Sequence, residues 1–135
     1  MLDPVRLTER LVSLDSVSAR SNVPVVEVLA QALDRLGAEV RWQRKPGDDA
    51  QVNLVARLGP LTDHRSGLAL AGHTDTVPFD GSMRATDRPE RDGRRLYGRG
   101  TCDMKGGIAA MICAAEQVDR ATLRKPLWFA FTFQE

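Results

Sequence analysis

Apolar residues recur along the chain first with the period of a helix, then with that of a strand. Asp3 followed by Pro4 has the form of an N-cap and first helical turn, and Leu7, Leu11 and Leu14 follow at helical spacing. Asn22 and Pro24 open a second helix. Its apolar face is Val26, Leu29, Ala30, Leu33 and Leu36, and Gly37 is placed to end it. Residues 39–43 alternate like a half-buried strand, and the run from Lys45 through Pro46 and Gly47 to Asp49 predicts a polar turn. Two more strands are expected at 52–58 and 68–71, separated by a loop over 59–67 rich in turn formers. The second is almost wholly apolar, which predicts burial on both faces. Residues 80–95 are polar and rich in arginine and read as a surface excursion with short strands. Beyond Gly106 and Gly107, Ile108, Met111, Ile112, Ala115 and Val118 predict a third helix, and residues 127–133 an apolar, aromatic strand.

Helix, helix, three strands, excursion, helix and strand is the order of an α/β fold, a mixed β-sheet flanked by helices. No internal repeat, low-complexity tract or linker divides the sequence. Its 135 residues suffice for one domain with a real core. Nineteen basic residues against eighteen acidic ones leave a net charge of +1, and the basic residues are scattered. Neither a nucleic acid nor a membrane is therefore expected as a partner. The longest apolar stretch, 126–133, is far short of the roughly 20 residues a spanning helix requires. The first residues, Met1 to Arg6, lack the basic and apolar regions of a signal peptide, and Cys102 and Cys113 are the only cysteines. A cytoplasmic setting is the expectation.

Three carboxylate or imidazole positions stand where open α/β sheets place ligand sites, at or near strand ends. His73 closes an apolar strand, and Asp75 is placed to accept a hydrogen bond from one ring nitrogen while the other meets a metal. Taken alone, the pattern reads more simply as a turn histidine capped by a nearby acid. Asp103 lies between a short strand and a helix, among several glycines. It suits a metal ligand, and equally an N-cap. Glu135 ends the last strand, where a carboxylate can serve as general base, or simply be solvated. Among the remaining residues, His64 reads as a surface loop residue, Cys102 as a small packed hydrophobe and Cys113 as core. Trp128, Phe129, Phe131 and Phe133 read as packing.

Fuller stretches around these positions carry a resemblance. The run Gly72, His73, Thr74, Asp75, Thr76, Val77, Pro78, Phe79, Asp80 resembles the first metal-ligand motif of the acetylornithine deacetylase and succinyl-diaminopimelate desuccinylase family of zinc metallopeptidase-like amidohydrolases. Residues 96–107, above all Tyr97 to Gly100 and Cys102 to Gly107, resemble the second motif. Thr132, Phe133, Gln134 and Glu135 resemble the start of the third, in which two adjacent glutamates end a strand.

The resemblance implies a zinc-aminopeptidase-like catalytic domain with two Zn2+ ions (Co2+ as an alternative). His73 would ligate one metal, Asp75 would orient it and Asp103 would bridge both, with a cis peptide bond following Asp103. Glu135 would be the general base. The substrate class is an N-acyl amino acid, with N2-acetylornithine, cleaved to ornithine and acetate in arginine biosynthesis, suggested by the continuation Thr76 to Asp80. A desuccinylase or a dipeptidase is the alternative within the family. The segment 83–89 lacks a tryptophan that acetylornithine deacetylases commonly carry there.

The family's enzymes are much longer, and the resemblance covers only their opening portion. The second glutamate, later acidic and histidine ligands and a lid domain that mediates homodimer formation are expected beyond residue 135. With only His73 and Asp103 as matching ligands, the chain alone is expected to bind metal weakly and to be inactive. A non-catalytic remnant, with strand 127–133 as a poorly protected edge, is the contrasting expectation.

Overall fold

A computed structural model describes residues 1–61, 66–82, 84 and 88–134. Helix α1 (Pro4–Val12) starts as predicted: the Asp3 side chain accepts hydrogen bonds from the Val5 and Arg6 amides, and proline fills the first turn. Helix α2 (Val23–Arg35) buries Val25, Val26, Leu29, Ala32 and Leu33, and the chain leaves it through Gly37 at φ 73°. Strand β1 (Glu39–Lys45) turns through Pro46 and Gly47 into β2 (Asp48–Leu58), so the segment expected to be a longer polar turn is a tight hairpin. Strand β3 (Leu68–His73), the short hairpin of β4 (Glu90–Asp92) and β5 (Arg95–Tyr97), helix α3 (Lys105–Glu116) and strand β6 (Leu127–Thr132) complete the chain. A 3-10 turn at Arg120–Thr122, capped by Asp119, was not signalled by the sequence.

The main sheet has the order β1-β2-β6-β3, with β1, β2 and β6 antiparallel in turn and β3 parallel to β6. The predicted mixed α/β sheet is thus present. Val52, Leu54, Ala56 and Leu58 of β2 are buried, as are Leu127, Phe129 and Phe131 of β6. The register sets Leu54 beside Phe131, Ala56 beside Phe129 and Leu58 beside Leu127, so all seven share one face. That face forms the core with Leu11 of α1, Leu29 and Leu33 of α2, and Ile108 and Ile112 of α3. Burying a side chain of this size contributes about 1.5–3 kcal/mol. Trp128 and Ala130, on the other face, are only half-buried.

Two expectations about strands are corrected. The aromatic strand β6 lies inside the sheet, hydrogen-bonded on both sides, and is no exposed edge. Among the described residues the edges are β1 and β3, and β3, expected to be buried on both faces, is largely exposed or half-buried. Its Leu68 is 61% exposed. An apolar run reports side-chain chemistry; the lateral place of a strand and the layers that cover its faces are set by tertiary packing, which the run does not encode.

Candidate metal centre

Parallel pairing of β3 with β6 sets His73 beside Thr132 at the carboxyl ends of both strands. The chain then leaves the sheet through Thr74, Asp75 and Thr76, all buried. Thr74 continues the sheet contact, its amide and its hydroxyl both donating to the Thr132 carbonyl at 2.8 Å. Asn22 supports the same turn from α2. Its Nδ2 donates to Thr74 Oγ1 (2.7 Å) and to the Val52 carbonyl (2.8 Å), while its Oδ1 accepts from the Val52 amide (2.9 Å). Asn22 occupies the N-cap position of α2, but its side chain makes no cap bond there, being committed to β2 and Thr74.

The second arm of the site is the turn before α3. Its peptide bond Asp103–Met104 is cis. The helix N-cap position falls on Met104 without a side-chain cap, and the Asp103 carboxylate reaches His73 instead. Met104 packs its sulfur 3.4 Å from the His73 amide. Gly72 leaves the room for this: a Cβ there would lie 2.7 Å from the Met104 methyl carbon. Gly106 is needed for a harder reason, since a Cβ on it would fall 2.2 Å from the Thr101 carbonyl oxygen. Lys105 is 1% exposed, its ammonium donating to the Leu14 carbonyl at 2.8 Å, and burial holds its pKa down to about 8.

The two arms meet at His73, whose side chain is 12% exposed. Nε2 lies 3.0 Å from Asp103 Oδ1. Nδ1 lies 3.0 Å from the Asp75 carbonyl oxygen and 3.3 Å from Asp75 Oδ1. Both neighbours of Nδ1 are acceptors, so Nδ1 carries a proton and points it at Asp75. Burial is the largest single influence on His73 and works against its charge. The hydrogen bonds to Asp103 and Asp75, with the two carboxylate charges, outweigh it and raise the pKa above the ordinary histidine value. Nε2 thus faces the Asp103 carboxylate directly.

The donor set fits a divalent cation in part. An imidazole nitrogen and a carboxylate oxygen 3.0 Å apart are close to the roughly 3.3 Å separating two ligands of a tetrahedral zinc ion. Asp75 Oδ1, buried and without a hydrogen bond of its own, faces the other side of the ring, as the partner of a metal-bound histidine does. Asp103 is exposed, its side chain 78% accessible, and so open to a cation from solvent. Among the described residues no group of three or more histidine, cysteine, aspartate or glutamate side chains gathers around one point.

Of the residues singled out in the sequence, His73, Asp75 and Asp103 are thus brought together. Glu135 and His64 lie outside the described residues, as do residues 83 and 85–87 of the segment compared for its missing tryptophan. Cys113 is buried as expected, but Cys102 is exposed rather than packed, because the turn before α3 carries its side chain outward. Cys102 borders a cleft of about 410 Å³ between α1, the β4–β5 hairpin and the start of α3, which includes none of His73, Asp75 or Asp103. Missed altogether were Ser18, which donates to Asp75 Oδ2 at 2.6 Å, and the support given by Asn22. Neither has a local signal, since their partners lie 57 and 52 residues away.

Residues 69–135, which include His73, Asp75 and Asp103, match peptidase family M20/M25/M40. The chain belongs to that family. It is 39% identical over 141 aligned residues to an acetylornithine deacetylase of Proteus mirabilis (strain HI4320), covering 97% of this chain and 35% of that protein. The identity to an acetylornithine deacetylase of Pectobacterium carotovorum subsp. carotovorum (strain PC1) is also 39%, over 95% of this chain and 33% of that protein. The chain therefore spans about a third of the length of these curated relatives. Among solved structures, human carnosine dipeptidase 1 superposes with a TM-score of 0.74 at 25% identity, over 98% of this chain and 32% of its own. An M20 family metallo-carboxypeptidase from Sulfolobus solfataricus, 20% identical, gives 0.82 over all of this chain and 31% of its own, which speaks to the fold alone. Among the described residues no helix is long and apolar enough to cross a membrane.

Proposed function

We propose that this chain supplies one half of the metal centre of an amide hydrolase acting on N-acyl amino acids, with N2-acetylornithine the first substrate to test. The observation that carries this reading is the convergence of His73 Nε2 and Asp103 Oδ1 at 3.0 Å while Nδ1 is turned onto Asp75. His73 and Asp103 would hold a divalent metal, zinc by family resemblance and cobalt as a substitute. When bound, the metal supplies Lewis acidity toward the amide carbonyl and a lowered pKa for a water molecule. Asp75 fixes the tautomer and the plane of His73. Glu135 is assigned the role of general base on the resemblance of residues 132–135 alone. Two metal ions per site, homodimer formation, a cytoplasmic setting and a place in arginine biosynthesis belong to the same reading. They rest on the family and on the names of the relatives.

The acetyl substrate is favoured over a succinyl one by those names and by the run Thr76 to Asp80. The test is acetate release from N2-acetylornithine by a purified protein carrying the chain, alone or within a longer product, with zinc or cobalt added. Activity lost in both His73→Ala and Asp103→Ala supports the assignment. Cleavage of succinyl-diaminopimelate but not acetylornithine would replace the substrate and keep the site. The contrasting reading, a non-catalytic remnant, draws on the lack of a third ligand among the described residues. Metal-dependent hydrolysis by the 135-residue chain itself would eliminate it.

A further inference from the structure

The segment joining α1 to α2 runs beside the site and is bound to it like a short strand. Thr76 donates its amide to the Ser16 carbonyl (2.9 Å), and the Ser18 amide donates to the Thr76 carbonyl (3.0 Å), a parallel bridge centred on Val17. The Ser16 hydroxyl donates to the Thr74 carbonyl at 2.7 Å. This backbone pairing aims the Ser18 side chain at Asp75, where its hydroxyl lies 2.6 Å from Oδ2. The same hydroxyl is 3.2 Å from the Thr76 carbonyl. With one proton to give, it donates across the shorter distance to the charged oxygen.

Asp75 is 3% exposed, and its other oxygen, Oδ1, has no hydrogen bond and stands 3.3 Å from His73 Nδ1. Aspartate χ2 is a broad torsion with no strong preference of its own. The Ser18 contact is the hydrogen bond that pins one carboxylate oxygen and so leaves the other facing the imidazole. We infer that Ser18 is a positioning residue for the metal ligand His73, acting through Asp75. The inference rests on the reading of His73 as a ligand. Outer partners of a metal-bound histidine change affinity by about 10- to 100-fold when removed, and a residue one contact further out belongs at the lower end.

The test compares wild type, Ser18→Ala and Ser18→Thr, the last of which keeps the hydroxyl. The chain has two histidines, so His64→Gln assigns the imidazole 15N signals. Three quantities are read: solvent exchange of the His73 Nδ1 proton in the metal-free chain, the zinc dissociation constant, and the urea midpoint. Ser18→Ala should speed the exchange severalfold and weaken zinc about 10-fold, with a lowered midpoint because the buried Asp75 Oδ2 loses its donor, and Ser18→Thr should restore all three. A lower midpoint with unchanged exchange and zinc affinity would mark Ser18 as merely structural and overturn the inference. So would a threonine variant that behaves like alanine. If exchange responds as expected but no variant, wild type included, binds zinc at His73, the positioning role stands and the metal reading falls.

Discussion

Replacing Asn22 by alanine removes the side chain that joins the helical layer to the site. Asn22 is 1% exposed, and three hydrogen bonds of 2.7–2.9 Å run from it to the Val52 amide, the Val52 carbonyl and the Thr74 hydroxyl. The last β2–β6 pair is Leu54 with Phe131. Beyond it the Asn22 amide takes both polar groups of Val52, doing for β2 what a strand neighbour would. Thr74 retains its bond to Thr132 when Asn22 is lost, so two groups, the Val52 N–H and C=O, are stranded. At about 1–3 kcal/mol each for an unsatisfied buried group, the sum is about 2–6 kcal/mol. That is a large share of the roughly 5–15 kcal/mol by which a domain is stable. Equilibrium unfolding in urea, followed by tryptophan fluorescence, should show a midpoint shift of this size with little change in slope. Asn22→Asp should be no better at neutral pH, because an acceptor then faces the Val52 carbonyl, and should recover on acidification as the carboxyl gains a proton to donate. An alanine variant within about 0.5 kcal/mol of wild type, the range of neutral surface changes, would refute the reasoning.

Three further outcomes are expected. Lys105 is held at about 8 when folded against 10.5 when free. The unfolded chain therefore binds more protons between these values, and stability of the metal-free chain rises with pH through that window, by roughly 3 kcal/mol in total. Denaturation of wild type and Lys105→Met at pH 7 and pH 10.5 isolates this rise, which the methionine variant should lack; parallel curves would contradict it. Gly106→Ala drives a methyl into the Thr101 carbonyl, 2.2 Å from the required Cβ position. It should cost about 1–3 kcal/mol as overpacking does and shift the Asp103 resonances, whereas Gly93→Ala, at a position with no close neighbour but φ 58°, should leave Asp103 undisturbed. Alkylation by iodoacetamide should modify the exposed Cys102 quickly and the buried Cys113 only on unfolding, which peptide mapping reads directly.

Much of this architecture was visible in local pattern. The Asp3-Pro4 cap, the faces of α2 and α3, the glycine ending α2 and the alternation along β1 follow from periods of 3.6 and 2 and from cap chemistry. Strand order was not visible, so the interior place of β6 was missed, and the exposure of β3 was missed because an apolar run does not say what covers its faces. Asp103 shows where a residue's own chemistry stops being informative. Cap and ligand are equally good uses of an aspartate before a helix. The structure sets the cap aside: the N-cap position falls on Met104, which packs its sulfur on the His73 amide across the side-chain-free Gly72, and the carboxylate meets the imidazole. Lys105 stands in a quoted motif, yet nothing in the run Met104 to Gly107 announces that its ammonium is spent inside the fold on the Leu14 carbonyl, 91 residues away in sequence. Ser18 and Asn22 share this character: a contact made by tertiary folding leaves no period in the chain.

The central claim is that His73 Nε2 and Asp103 face one cation while Nδ1 keeps its proton on Asp75. The most direct measurement is a zinc titration of the 15N-labelled chain followed through the imidazole nitrogens. A shift confined to His73 Nε2, with the Nδ1 proton retained and the response weakened in Asp103→Asn, is the predicted result. Zinc that moves Nδ1 instead, that moves only His64, or that binds equally well to Asp103→Asn would contradict it.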